Sequence, residues 1–582
     1  MNKKEKIFIW LTFIEGMFAL GFLLNSPSEY AFFLGFSKSR WLLIFANLII
    51  LSFLIVIAIQ IQNRQVSLDN IASKFDHWVN QKSNLFWCSG LFFFLALFLA
   101  GAFFFTYLFI NSHFRGFVLW GTLFFAQLVV YLRLRYPEKV SSPGYWKPLQ
   151  DLPAWKNLDS KQKKVFWVIF TIGFIYFLTL MIPNLLDAKD EHMLHMLGGD
   201  ENNTYPYIIW MLTPGTEIRQ IMYRLFIFEG YHYGYPFFVL SAFVLLPMRL
   251  LFGIEFSSHT QINLLLLRQF ISVLPIILSA GILVYLQTRF KHLWKSIILF
   301  LLILFIPAVM MNNIRYWHPD ALVVLSVVAT IFFLVKDGLN FNINFFMAAF
   351  FCGMASSIKL YGYFFFLVIL GILLYAYFKK RIDFKKMLIV GMFFIVIMIL
   401  TFLLTNPFLF HEPARMRYME IMADKSIEMR HGYADANGEG IYVTGLNATL
   451  PFWESFYGNK YFILFLFISM IGSTFIGKKG LLHFVLLGWV VTVSMYILGF
   501  VVLKHYQFWL PVFIPLYSTA LSIFDWDYSE LTLRKTNQNK LKVMIQLFQF
   551  LVILILVLQF SQNIYLSIPQ FSEWLRIAEI VS

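Results

Sequence analysis

The sequence predicts an all-α polytopic membrane protein, a transmembrane helical bundle with two long extracytoplasmic loops. Three observations predict it. Hydrophobic residues make up 59% of the 582 residues and charged residues only 13%, against roughly 25% charged in a soluble domain. The apolar residues come in runs of about 20, the length a spanning helix needs. Lys and Arg, 46 against 31 Asp and Glu, collect in short clusters between those runs, as cytoplasmic loops do. Water-soluble domains must cover themselves with polar groups, so soluble enzymes, disordered chains, collagens and disulfide scaffolds are excluded. The surplus of +15 follows loops rather than a phosphate-tracking stripe, and no nucleic-acid partner is expected. Cys88 and Cys352, far apart in apolar stretches, make neither a disulfide framework nor a zinc site.

The first segment has a basic flank and an apolar run to Leu20. It lacks a small-x-small cleavage site and reads as an uncleaved span. Spans near 7–25, 41–61, 85–110 and 116–134 form an N-terminal four-helix membrane unit, residues 1–134. A junction rich in Pro, Ser, Asp and Lys, residues 135–164, follows on the cytoplasmic side. The main body, 165–560, has spans near 165–184, 263–288, 296–312, 321–336, 343–357, 361–378, 387–405, 461–476, 481–503, 508–524 and 543–560. Two long stretches interrupt it, 184–261 and 406–460, and a tail, 561–582, closes the chain.

The topology turns on Pro236–Gly253, which is apolar but short and carries Pro247 and Arg249. If it does not cross, the clusters Arg289/Lys291/Lys295, Lys379–Arg381/Lys385/Lys386, Lys478/Lys479 and Arg534–Lys542 share a side with the basic N-terminus. Charge bias favours that arrangement. About fifteen spans result, with both long loops and the C-terminal tail extracytoplasmic. The localisation expected is a multi-pass cell-membrane protein whose site faces outward.

Ionisable groups are expensive in a membrane and usually functional there. The first long loop gathers Asp187, Asp190, Glu191, His192, His195, Asp200 and Glu201 just after a span. Carboxylates at the membrane edge act as general bases or hold a divalent cation; a solvated loop needs polar residues too. Glu191 and His195 share a helical face at i, i+4, a spacing that suits a metal or an ordinary hydrogen bond. YHYGYP adds His232. NNIRYWHPD joins two spans by a short turn with Arg315, His318 and Asp320, and the Pro before Asp320 fixes a helix start. Lys359 in SSIKLYG, followed by Tyr361, either holds a lipid phosphate or snorkels. Arg415, Arg417, Lys425 and Arg430 put positive charge on the second long loop. No P-loop, strand-linked GxGxxG or GxSxG elbow supports nucleotide or serine chemistry.

The order of these features over Val165–Phe560 resembles the GT-C superfamily of integral-membrane glycosyltransferases, those related to protein O-mannosyltransferases and lipid A aminoarabinose transferases. The residues carrying it are the first-loop Asp-Glu pair, a stretch ending LLFG, Arg268 opening a span, HPD at a short turn, IKLYG, NPFLF, and KHYQFWLPVFIPL. The resemblance implies a GT-C-like catalytic module. It would move a sugar from a polyprenyl-phosphate donor to an acceptor hydroxyl on a glycan, lipid or protein at the outer face. It implies Asp190 as general base, with Glu191 beside it and Asp187 competing in the D-x-x-D-E spacing. His192, His195, His232, Arg315, His318, Asp320, Lys359 and Tyr361 would line the substrates. A divalent metal is possible, with Asp190 and Asp320 as its candidate ligands. The rival is a lipid or polysaccharide transporter or flippase, which would place ionisable residues deep within several spans.

Overall fold

The computed structural model describes residues 3–24, 38–62, 115–136, 157–186, 200–213, 217–314, 316–431, 445–501, 505–526 and 538–581, with single positions at 89, 92, 95, 96, 99 and 194. Every regular element named in these residues is helical. Eight helices are long and apolar enough to cross a membrane, or up to 10 if each of two bent pairs is one span. The chain is a polytopic membrane protein with fewer such helices among the described residues than the fifteen or so the apolar runs suggest. Most of the expected 85–110 span lies outside those residues. The Asp320–Asp337 helix carries Asp320, Lys336 and Asp337, and Ile343–Lys359 stops at 17 residues.

Two compact units divide the chain: Met1–Gly144 with Leu498–Phe500, and Tyr145–Ile497 with Val501–Ser582. In the first, the helix Lys3–Leu24 packs against Lys38–Gln62 and Arg115–Arg135. Gly16 brings the first helix against Leu51 and Trp120, and Gln127 donates to Thr12.

The second unit has two chemically different ends. Its first helix, Ser160–Thr179, starts with a capping box in which Asp159 accepts from the Gln162 backbone and Gln162 answers. Gln162 also donates to the Arg289 carbonyl at 2.8 Å. Lys479 donates to the Gln287 carbonyl and to Asp525, which Lys295 also approaches at 3.8 Å. The basic clusters around 289–295 and 478–479 therefore meet the start of the first helix at one end of the bundle.

About 33 Å away along that helix, Asn184 donates to the Asn313 carbonyl at the opposite end. Here the short connections gather. Leu293–Leu304 and Pro307–Asn313 are bent by 66° where Pro307 forces Ile306 into an extended conformation. Asp320–Asp337 then returns to the basic end, with Pro319 as its N-cap, the start the HPD run predicts.

The Tyr235–Phe252 helix belongs to a segment, Tyr235–Ser258, long and apolar enough to span, but its anchors place both its ends at one end of the bundle. At its start Gly234 donates to the Ile358 carbonyl and Tyr235 to Asn406, both at 3.1 Å. Beyond its finish the Phe256 carbonyl accepts from Asn263, which also bonds Tyr205, while Gln261 donates to the Leu185 carbonyl. Leu185 neighbours Asn184 and thus the same end as Asp320. Both ends of the helix are thus anchored to residues near the Asp320 end. The stretches expected as long loops are themselves largely helical: Asp200–Leu212 and Ile218–Phe226 in the first, Glu412–His431 and Gly445–Tyr457 in the second.

Candidate functional site

The short turn between Asn313 and Asp320 is held from below by a buried ion pair. Arg268 opens a π-helical turn, Arg268–Val273, within the Thr260–Thr288 span. Its guanidinium grips both oxygens of Glu201 at 2.9 and 2.5 Å. Relative exposures of 1% and 0% mark this pair as desolvated, a geometry in which bidentate bonding matters most. Glu201 also accepts from the Trp317 backbone N–H at 2.6 Å, and Arg268 reaches the Asn184 carbonyl. Trp317 is stacked on Phe237 and donates to Ser241. The turn is therefore bolted to three helices, and His318 and Asp320 project from a rigid base.

Asp320 is fully buried and lies in the first turn of its helix, where a carboxylate complements the helix dipole. Lys359, the last residue of Ile343–Lys359, donates to both its oxygens at 2.8 and 3.0 Å. His318 Nδ1 contacts the same carboxylate, and Tyr233 meets His318 Nε2 at 2.7 Å. Burial lowers the His318 pKa, against the opposing pull of the Asp320 carboxylate. Gly234 makes this approach possible, because a Cβ there would run into the Ser357 carbonyl.

Above this cluster opens a cavity of about 660 Å³. His232, His318 and Lys359, all expected from the sequence, line it together. Asp320 stands behind Lys359. Tyr361 instead donates to the Phe508 carbonyl at 3.0 Å and packs beneath the site. Asp187, Asp190, Glu191, His192, His195 and Arg315 lie outside the described residues.

Three lining groups carry more weight than their sequence context suggested. Asp200, half exposed, accepts from the Tyr316 hydroxyl at 2.8 Å and stands 3.8 Å from His318. Lys425, on the Glu412–His431 helix, donates to the His232 carbonyl at 2.7 Å and sits 4.8 Å over the Tyr233 ring. Lys359 faces the same ring at 5.7 Å. Burial, then the Lys359 charge, pushes Lys425 down to about 8. Tyr233 thus lies between two ammonium groups, an arrangement that cation–π attraction stabilises and that suits an anion entering the cavity. The crowding of acids in the first loop signals Asp200 in advance, and that of ionisable and aromatic residues in YHYGYP and the second loop signals Tyr233 and Lys425.

Among the described residues no group of three or more His, Cys, Asp or Glu is placed to hold a metal ion. Of the two candidate ligands, Asp320 has both oxygens engaged by Lys359. Asp190 lies outside the described residues. No family model, curated protein or solved structure matches the chain.

Proposed function

We propose that this protein is a membrane glycosyltransferase of the GT-C type, moving a sugar from a polyprenyl-phosphate donor to an acceptor hydroxyl on the extracytoplasmic face. The observation that carries the reading is the polar cavity at the end opposite the basic loops, where Lys359 and Lys425 converge over Tyr233. A lipid-linked donor arrives from the bilayer with its phosphate at headgroup depth, and such a cavity offers it two cations. In the reaction the bond between the anomeric carbon and the phosphate oxygen breaks, and the acceptor oxygen bonds to that carbon. The acceptor proton passes to a carboxylate, and the phosphate leaves with the electron pair. Lys359 and Lys425 stabilise that developing charge. Asp190 is the proposed base, with Asp187 as its competitor and Glu191 beside it. Asp200, oriented by Tyr316, is the carboxylate that the cavity itself supplies. The GT-C-like module covers 165–560.

The test incubates purified, reconstituted protein with a panel of polyprenyl-phosphate sugars and measures released polyprenyl phosphate. Release that depends on acceptor and falls in Lys359→Met supports the reading. No release with any donor, together with donor binding unaffected by Lys359→Met, overturns it.

A further inference from the structure

The basic end of the bundle holds a second concavity, unrelated to the cavity around Lys359. A cleft of about 390 Å³ is lined by five cations, Arg289, Lys291, Lys295, Lys478 and Lys479, against the single carboxylate of Asp525. Lys479 and Lys295 share that carboxylate. Burial, together with the charges of Arg289 and Lys295, lowers the Lys479 pKa from the ordinary lysine value. The cluster therefore carries more positive charge than its own residues balance.

Next to it, on the other side of the 288–291 turn, runs an apolar groove of about 730 Å³. Its walls are rings and aliphatic chains from Ser160–Thr179, Leu274–Thr288 and Leu293–Leu304, including Phe174, Leu278 and Phe300, with Phe270 of the preceding π turn. Its one charged residue among the described lining is Lys336, in the last turn of the Asp320–Asp337 helix and so near the basic end. The turn shared by cleft and groove is strained: Arg289 and Phe290 both adopt positive φ, 51° and 55°, a conformation that non-glycine residues keep only where surroundings demand it. Phe290 lines the groove while its neighbours Arg289 and Lys291 line the cleft.

We propose that these two concavities form one binding site for an anionic phospholipid of the leaflet at the basic end. Its phosphate sits among the lysines of the cleft and one acyl chain lies in the groove. Charge complementarity selects the headgroup, and the apolar groove with its cationic mouth matches the chain attached to it. An exposed basic loop attracts acidic lipids without preference for place; a cleft joined to a groove holds one molecule in one pose.

Gly281 provides the decisive variant. It lines the groove, and a Cβ added there meets nothing within 4 Å. Gly281→Leu should fill the groove without disturbing the helix, since Leu is the better helix former. The full chain is placed in nanodiscs of phosphatidylcholine alone or mixed with phosphatidylglycerol, and its Tm is measured. Phosphatidylglycerol should raise the wild-type Tm by about 2–4 °C. Gly281→Leu, and separately Lys291→Gln with Lys478→Gln, should abolish that increment. Lys385→Gln with Lys386→Gln, exposed and outside the cleft, should keep it. The proposal is overturned by no increment in the wild type, by an increment that survives Gly281→Leu, or by its equal loss in the Lys385/Lys386 control. It is also overturned if inorganic phosphate added to phosphatidylcholine discs reproduces the increment, because the ligand would then be a free anion.

Discussion

Glu201 and Arg268 are the residues whose pairing is costliest to break. Removing one partner of a buried pair leaves a desolvated charge, at a cost of about 3–5 kcal/mol. Arg268→Met should therefore lower stability by that amount in thermal unfolding, and adding Glu201→Gln should recover much of it. A double variant as unstable as the single one would show that packing, not charge, holds the turn. Lys359 and Asp190 separate binding from chemistry. Lys359→Met should weaken donor binding by about 1.5–3 kcal/mol, whereas Asp190→Asn should slow turnover about 10²–10⁴-fold with binding unchanged. Normal turnover in Asp190→Asn, Asp187→Asn and Asp200→Asn alike would defeat the proposed base. Lys425 sets a pH window. With its pKa pushed down to about 8, it is charged below that value and neutral above, so donor affinity should fall as pH rises through 8. Lys425→Met should flatten the decline; a slope unchanged in that variant assigns it to another group. His232, His318 and Lys359 were legible because ionisable side chains are rare in such an apolar chain. Glu201–Arg268, Asp200–Tyr316 and the place of Tyr233 were not, since each joins segments that no local pattern pairs.

At the scale of the element, the Tyr235–Phe252 helix shows what hydropathy leaves open. Its composition suits a span, whereas its shortness, Pro247, Arg249 and the loop charges argue that it stays at one end; it is anchored to Ile358, Asn406 and the 256–263 turn. Single cysteines replacing Glu229 and Glu255, in a chain with Cys88 and Cys352 changed to Ser, should both react with a membrane-impermeant maleimide from the same side. Reaction from opposite sides would make the helix a span. Among the described residues, apolar runs such as 321–336 and 343–357 are helices, but charges at the tips of the first and the 17-residue length of the second set them apart from the longer, uniformly apolar candidate spans.

For the whole molecule, the meeting of 289–295, 478–479 and the start of Ser160–Thr179 at one end gives the bundle a polarity along its axis. The apolar runs and basic loops alone predicted that polarity. Which side chains face the cavity at the other end is a matter of helix rotation, which depends on packing.

Thr260–Thr288 is among the helices that join the two ends, and its π turn at Arg268–Val273 holds one residue more than an α-helical turn would. Deleting a single residue there, for instance Phe270, should let the helix close into regular α geometry. The part before the deletion would then rotate by about 100° relative to the part after it. Arg289 and the groove wall from Leu274 to Tyr285 would keep their places while Arg268 swung away from Glu201, detaching the Trp317 turn and emptying the cavity of its order. A shortened chain that expresses and inserts normally yet no longer binds donor would show that this protein tolerates changes of side chain more readily than changes of phase, and that homologues should be sought by the spacing between Arg268 and Arg289 as much as by the residues between them.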